Sequence, residues 1–131
     1  MASNKPKGRA RKARFTAVPH ALMESDNYRH LNGWDVKLLL ELVKQHNGSN
    51  NGDLSAAWGM MKNQGWRSSG TLFKSLAKLE RLGFIERTRQ GGKHQCNLFA
   101  ITWYPIDECK GKHEVRATST PSNRWKQPAP D

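Results

Sequence analysis

Acidic residues are scarce in this 131-residue chain, where 11 aspartates and glutamates stand against 22 lysines and arginines and leave a formal net charge of +11. Cysteine is scarce too, and Cys96 and Cys109 are predicted to be free thiols rather than a disulfide. No apolar run approaches the ~20 residues that a membrane-spanning helix needs. The basic N-terminus is not followed by the apolar segment of a secretory signal. These absences exclude a disulfide scaffold and a membrane partner, and we expect a cytoplasmic protein.

Catalytic motifs are also missing. The chain has no G-x-x-x-x-G-K-[ST] phosphate loop, no H-E-x-x-H motif and no paired carboxylates in an apolar frame. Residues 90–93 look superficially like a phosphate loop, but no helix is predicted after them to supply aligned N–H groups. We therefore expect no enzymatic activity and no cofactor.

Metal-binding residue types are present, but their spacing is poor. His94, Cys96, Cys109 and His113 suggest a zinc site, yet structural zinc ligands usually come in C-x₂₋₄-C or H-x₃₋₅-H pairs. The spacing Cys109-x₃-His113 is a weak signal alone. Residues 47–53 contain one carboxylate and lack the closing glutamate of a calcium loop. No metal site is expected.

Positive charge is concentrated in two segments. Residues 1–14 carry six basic residues and no acidic one, and residues 62–93 carry eight basic and two acidic residues, a net +6. Residues 15–61 carry three basic and five acidic residues, a net −2, and residues 94–131 carry five and four, a net +1. A polyanion-binding surface needs such polarity, because each neutralised phosphate releases counterions. A merely solubilising surface would not require the N-terminal half of the core to be acidic.

One amphipathic helix is predicted at the centre of the basic segment. Ser68 or Ser69 can cap its start, and Gly83 can adopt the left-handed conformation just beyond its end. Its apolar stripe consists of leucines at helical spacing, and its opposite side consists of polar residues without negative charge. The stripe contains Leu72, Leu76, Leu79 and Leu82, and the opposite side contains Thr71, Lys74, Ser75 and Lys78.

Three further helices are predicted before this one. Asn32 should cap the longest of them, the first helix of the three-helix core, with Asp35 in its first turn, where the helix dipole favours an acid. Its apolar face is wide, as expected of a central helix. That face contains Val36, Leu38, Leu39, Leu40, Leu42 and Val43. A shorter helix is predicted over residues 55–63, and a still shorter one begins near Pro19 and directs Leu22 and Met23 inward.

Two strands are predicted after the central helix, over residues 84–89 and 95–103, with a Gly-Gly turn between them. A very short strand is also expected at residues 52–54. Helix, turn, helix, strand, turn and strand together predict an α+β fold of the winged helix-turn-helix type, with a three-helix core and a two-stranded β-wing. Residues 68–82 are then the recognition helix for a DNA major groove.

The chain divides into three predicted parts: a basic disordered arm at residues 1–14, the winged helix-turn-helix domain at 15–109, and a polar C-terminal tail at 110–131. The tail is expected to be extended or disordered. Trp125 is expected to anchor it to this domain, to a partner subunit or to a partner protein.

The predicted DNA contacts fall in three groups. The recognition helix contributes Arg67, Ser68, Ser69, Thr71, Lys74, Ser75 and Lys78. The wing contributes Arg87, Arg89, Gln90, Lys93 and His94, and the arm contributes Arg9, Arg11, Lys12 and Arg14.

Several segments resemble winged helix-turn-helix proteins of bacteria and of their phages, plasmids and integrated elements. They are FTAVPHAL at residues 15–22, Leu31 into the first helix, NGSNNG at 47–52, LGFI at 82–85 and RTRQGG at 87–92. The resemblance covers about residues 15–125. It implies sequence-specific binding to double-stranded DNA by a small transcriptional regulator, or by an accessory or replication protein of a mobile element. Such a protein would be associated with the nucleoid when bound.

Two alternatives remain. Winged helices also serve as protein-docking adaptors, including inhibitors of a host protein, but an adaptor does not need the +6 charge of residues 62–93. Single-stranded nucleic acid binding needs exposed aromatic residues, whereas Trp58 and Trp66 are predicted to lie in the core. The expected partner is double-stranded DNA; a homodimer and a protein partner for the tail remain open.

Overall fold

The computed structural model describes residues 13–129. In this range the α-helices are α1 (His20–Met23), α2 (Gly33–Gln45), α3 (Trp58–Met61) and α4 (Ser69–Arg81), and the strands are β1 (Ile85–Arg89) and β2 (Leu98–Ile101). The strands form a two-stranded antiparallel sheet. The α+β class is confirmed, and the order of elements is compatible with a winged-helix layout.

Helix α2 begins at the predicted capping residue, Asn32. The side chain of Asn32 accepts a hydrogen bond from the N–H of Asp35 at 2.9 Å, and the Asp35 carboxylate accepts one from the N–H of Asn32 at 2.9 Å. This reciprocal pair is a capping box. The apolar face predicted for α2 is wider than the face that is buried. Helix α4 covers one side of α2, and Leu40 lies outside the covered side and is 45% exposed. The inward position of Met23 in α1 is also wrong, since Met23 is 40% exposed while Leu22 is buried.

Helix α3 is shorter than the helix predicted over residues 55–63. It begins at Trp58 rather than at Ser55, because Ser55 is held by Gln45 of α2. The amide of Gln45 donates to the Ser55 carbonyl at 2.8 Å and accepts from the Ser55 N–H at 2.9 Å. A 3₁₀ turn at Lys62–Gln64 follows α3, and Gly65 then turns the chain with a φ of +92°.

The ends of α4 agree with the prediction. The Ser68 hydroxyl accepts a hydrogen bond from the N–H of Thr71 at 3.1 Å. Gly83 lies just beyond the helix with a φ of +85°, and the N–H of Phe84 donates to the Leu79 carbonyl at 3.0 Å. A left-handed glycine followed by this hydrogen bond is the usual C-terminal cap.

The sheet packs beside α4. In its register Ile85 pairs with Ile101 and Arg87 with Phe99, and the register shifts between Arg87 and Arg89. Phe99 also exchanges two backbone hydrogen bonds with Leu54, so the expected short strand is a single bridge. Strand β2 begins at Leu98 rather than at residue 95, because the chain first forms a separate bridge between Gly92 and Gln95 that closes the wing tip.

The C-terminal segment packs on the core, which differs from the expected polar tail. Trp125 is 7% exposed and belongs to the main hydrophobic cluster. The buried side-chain amide of Asn27 donates to the carbonyls of Leu82 at 2.8 Å, Trp125 at 3.0 Å and Gln127 at 2.8 Å. Packed structure therefore continues from residue 109 to residue 129, and Trp125 is anchored on its own domain.

Candidate nucleic-acid interface

The solvent side of α4 is a narrow arc. Five residues of this helix are exposed: Gly70, Phe73, Lys74, Ala77 and Arg81. At about 100° of rotation per residue, Phe73 lies at one edge of the arc and Lys74 about 100° away at the other. Gly70 and Ala77 lie between them, and Arg81 lies near the Lys74 edge in the last turn, so the middle of the arc carries no bulky side chain before that turn.

Cations without counterions surround this arc. Arg67, Lys74 and Arg81 are exposed, and none forms an ion pair with another residue of the described chain. The single acidic residue of α4, Glu80, is bound to Arg87 of β1 at 3.1 Å. The exposed arc of α4 is therefore positively charged.

Two predicted contacts on α4 lie elsewhere. Ser75 is 4% exposed, and the ammonium of Lys78 lies 2.8 Å from the carboxylate of Asp35. Both residues are on the side of α4 that packs against α2, where a buried carboxylate needs a partner. The prediction that Ser75 and Lys78 project outward is wrong for this physical reason.

The Asp35 carboxylate is held in its ionised form. Burial raises its pKa, but the backbone N–H of Asn32, the ammonium of Lys78 and the hydroxyl of Ser75 stabilise the charge, so the pKa lies below its usual value. At neutral pH the Asp35 carboxylate is therefore ionised. Lys78 is consequently engaged inside the protein.

The first turn of α4 faces the start of α2. Ser68 is the cap, its hydroxyl lies 3.0 Å from that of Thr71, and Ser69 is half-buried. Thr71 and Lys74 share a cavity of about 190 Å³ with Trp34. The Trp34 ring is 38% exposed and lies 5.0 Å from the buried Trp66 ring, which donates a hydrogen bond to Glu41.

Both predicted arginines of the wing are bound within the protein. Arg87 donates to Glu80 and, at 2.6 Å, to Gln90. Arg89 donates to the backbone carbonyl of Cys96 at 2.8 Å. The exposed wing tip instead consists of Lys93 and His94, the two residues between the bridged Gly92 and Gln95.

Phe73 is a candidate site residue that the helical periodicity did not identify. Its ring is 50% exposed and lines a cavity of about 340 Å³ between α4 and the wing. Trp58, Leu76 and Gly92 line the same cavity. The available signal was position, because Phe73 follows Leu72 of the buried stripe and is rotated about 100° away from it.

The predicted arm extends beyond the residues that the structure describes. Arg9, Arg11 and Lys12 lie outside this range. Arg14 is exposed and lines a cavity with Phe15 and His46. Within residues 13–129 no group of three or more histidine, cysteine, aspartate or glutamate side chains is arranged to hold a metal, and both cysteines are free.

No α-helix in the described part of the chain is long and apolar enough to span a bilayer. The chain matches no protein-family model, no curated protein and no solved structure. The geometry of α4 and the wing is therefore the basis for assigning a function.

Proposed function

We propose that this chain is a winged helix-turn-helix protein that binds double-stranded DNA, with α4 in the major groove and the wing tip against the backbone. The observation that carries the proposal is the exposed arc of α4, with small residues in its middle and cations without counterions around it. A major groove about 12 Å wide admits a helix about 10–12 Å in diameter. Gly70 and Ala77 let the helix approach the base edges closely.

The element order supports the proposal. The helix α2, the bridge at Leu54, the helices α3 and α4, and the strands β1 and β2 follow one another as in a winged helix-turn-helix. The wing tip with Lys93 lies at the end of the sheet that packs beside α4. The resemblance noted above favours a sequence-specific regulator, or an accessory or replication protein, of a bacterial mobile element.

The proposed phosphate contacts are four exposed cations, two of them on α4, one just before its N-cap and one at the wing tip. They are Arg67, Lys74, Arg81 and Lys93. If all four contact phosphates, log K should fall with log[salt] with a slope of about −3.6 from these residues alone, since each contact contributes about −0.9. Basic residues of the arm would steepen this slope.

The test is a fluorescence anisotropy titration of labelled duplex DNA at several salt concentrations. We expect Lys74→Gln to flatten the slope by about 0.9 and to weaken binding severalfold at low salt. The matched control is Lys110→Gln, which removes the same charge from an exposed lysine in the 3₁₀ turn Cys109–Gly111, outside α4 and the wing. Equal effects of the two substitutions would show that the interface is not on α4.

The adaptor alternative makes a different prediction in the same titration. If no duplex binds even at low salt, double-stranded DNA is not the partner, and the exposed apolar residues Leu40 and Met60 would then mark a protein-binding surface.

A further inference from the structure

Phe73 is the apolar residue on the outer arc of α4 that folding does not explain. Its side chain is 50% exposed, whereas Phe84 and Phe99 are 0% and 1% exposed. One side of its ring lies over the cavity that Trp58 and Leu76 also line, and the rest of the ring faces solvent. Phe73 and the apolar cavity beside it form an exposed apolar patch on a helix with basic neighbours, which suits a ligand that has an apolar group within an anionic surface.

The arc of α4 has two chemically different edges. Lys74 and the cavity shared with Trp34 lie on the side of α2. Phe73 lies on the side of the wing, beside the apolar cavity formed with Trp58 and Leu76. Ala77, one helical turn beyond Phe73, extends the apolar edge. One edge of the helix therefore suits anionic or acceptor groups, and the other suits a methyl group.

We propose that Phe73, with Ala77, contacts the C5-methyl group of thymine in the major groove and makes α4 specific for sites with thymine at that position. The proposal rests on the proposed DNA-binding function and adds a specificity-determining residue to it. Thymine presents a methyl group in the major groove, whereas the other edge groups of the standard bases there are hydrogen-bond donors and acceptors. The small Gly70 lets the helix approach closely enough for the ring to reach the groove floor.

The experiment separates the methyl group from the rest of the base. Wild-type protein is used to enrich duplexes from a random pool, and each thymine of the enriched site is replaced in turn by deoxyuridine, which lacks only the methyl group. We expect deoxyuridine at one or two positions to weaken wild-type binding about threefold to tenfold. In Phe73→Ala the same replacement should have a much smaller effect, because the ring is gone and only Ala77 is left to contact the methyl group.

The matched control is Phe15→Ala, which removes another exposed phenylalanine ring, 88% accessible and outside α4. It should keep the full deoxyuridine effect. Phe73→Leu, with a smaller apolar side chain, should keep part of it. Thermal melting of each variant checks folding, and Phe73→Ala should melt near the wild type because its ring is half in water.

The outcomes distinguish the two proposals. No binding to any duplex contradicts the DNA-binding function itself. Binding with enriched sites that contain no thymine, or with a deoxyuridine effect that is undiminished in Phe73→Ala, overturns only the role of Phe73. In that case the exposed ring and the neighbouring cavity are better explained as a surface for an apolar segment of a protein.

Discussion

Asp35 is a buried carboxylate that two helices share. It completes the cap of α2 through the N–H of Asn32 and pairs with Lys78 of α4 at 2.8 Å. Its side chain is 2% exposed and that of Lys78 is 27% exposed, so water screens the pair little. Removing one member of such a pair leaves a buried charge or an empty cap, which is more costly than losing a surface ion pair.

We expect Asp35→Ala to lower the free energy of unfolding by roughly 2–4 kcal/mol, because the Asp35 half of the capping box and the ion pair are lost together and Lys78 keeps a part-buried charge without a partner. Chemical denaturation monitored by circular dichroism measures this loss. The control is Asp26→Ala, whose partner Arg29 and whose own side chain are largely exposed. It should change stability by less than about 0.5 kcal/mol, and a similar loss in both variants would contradict the buried-pair model.

The same carboxylate predicts the sign of the acid response. Its pKa is lowered in the folded state, so its contribution to stability is present above the unfolded pKa of about 3.9 and is lost as pH falls through the folded value. The melting temperature of the wild type should therefore fall below about pH 4. In Asp35→Asn the melting temperature should fall less steeply over the same pH range.

For individual residues, the sequence predicts contacts between chain neighbours better than contacts between distant segments. The position of Asp35 in the first turn was predictable, because cap and acid are adjacent in the chain. Its pairing with Lys78 was not, because nothing in the chain order places α2 against that side of α4. Lys78 was accordingly predicted as a DNA contact, and Phe73 was passed over because it lies outside the leucine stripe.

Helix boundaries depend on which contacts hold the ends. The ends of α4 were predictable, because the cap at Ser68 and the glycine at residue 83 act within one turn. The start of α3 was not, because Gln45 of α2 holds Ser55 by two hydrogen bonds. A tertiary contact of this kind overrides local helix propensity.

Gly83 joins α4 to β1 and also contacts the C-terminal segment. A Cβ atom there would lie 2.5 Å from the carbonyl oxygen of Arg124, at a φ of +85°. We expect Gly83→Ala to destabilise the protein by at least about 2 kcal/mol, from left-handed strain and backbone collision together. A melting curve measures the loss.

The control for Gly83 is Gly48→Ala, because Gly48 has a φ of +99° and nothing within 4 Å of the added Cβ. It should show the conformational strain alone, about 1 kcal/mol. If the two alanine variants have the same melting temperature, the close approach of the Arg124 carbonyl to Gly83 adds nothing to the cost of the substitution.

On the scale of the whole molecule, residues 110–129 are part of the domain. Trp125 enters the core, and the N–H of Asn123 donates to the Thr102 carbonyl at 2.8 Å. The composition of this segment predicted a polar tail. Its docking could not be predicted, because backbone hydrogen bonds to distant carbonyls leave no periodic pattern in the sequence. The single tryptophan was the signal of docking, but it did not identify the surface.

We expect Trp125→Ala to cost roughly 3–5 kcal/mol, as usual for a buried tryptophan. Thermal melting should shift strongly, while the mass by light scattering and the salt slope of DNA binding should not change. Trp34→Ala removes the same side chain from a position that is 38% exposed and should cost clearly less. A change in mass without a change in melting temperature would mean that Trp125 docks on another subunit.

The ion pair between Asp35 and Lys78 also fixes the rotation of α4 about its own axis. The helix surface lies about 5–6 Å from that axis, so a roll of about 20° would move the outer side chains by about 2 Å. A roll would also separate the charges of the pair, one of which is buried. Asp35, on the inner side of another helix, therefore acts together with the buried leucine stripe to determine which side chains α4 presents to the outside.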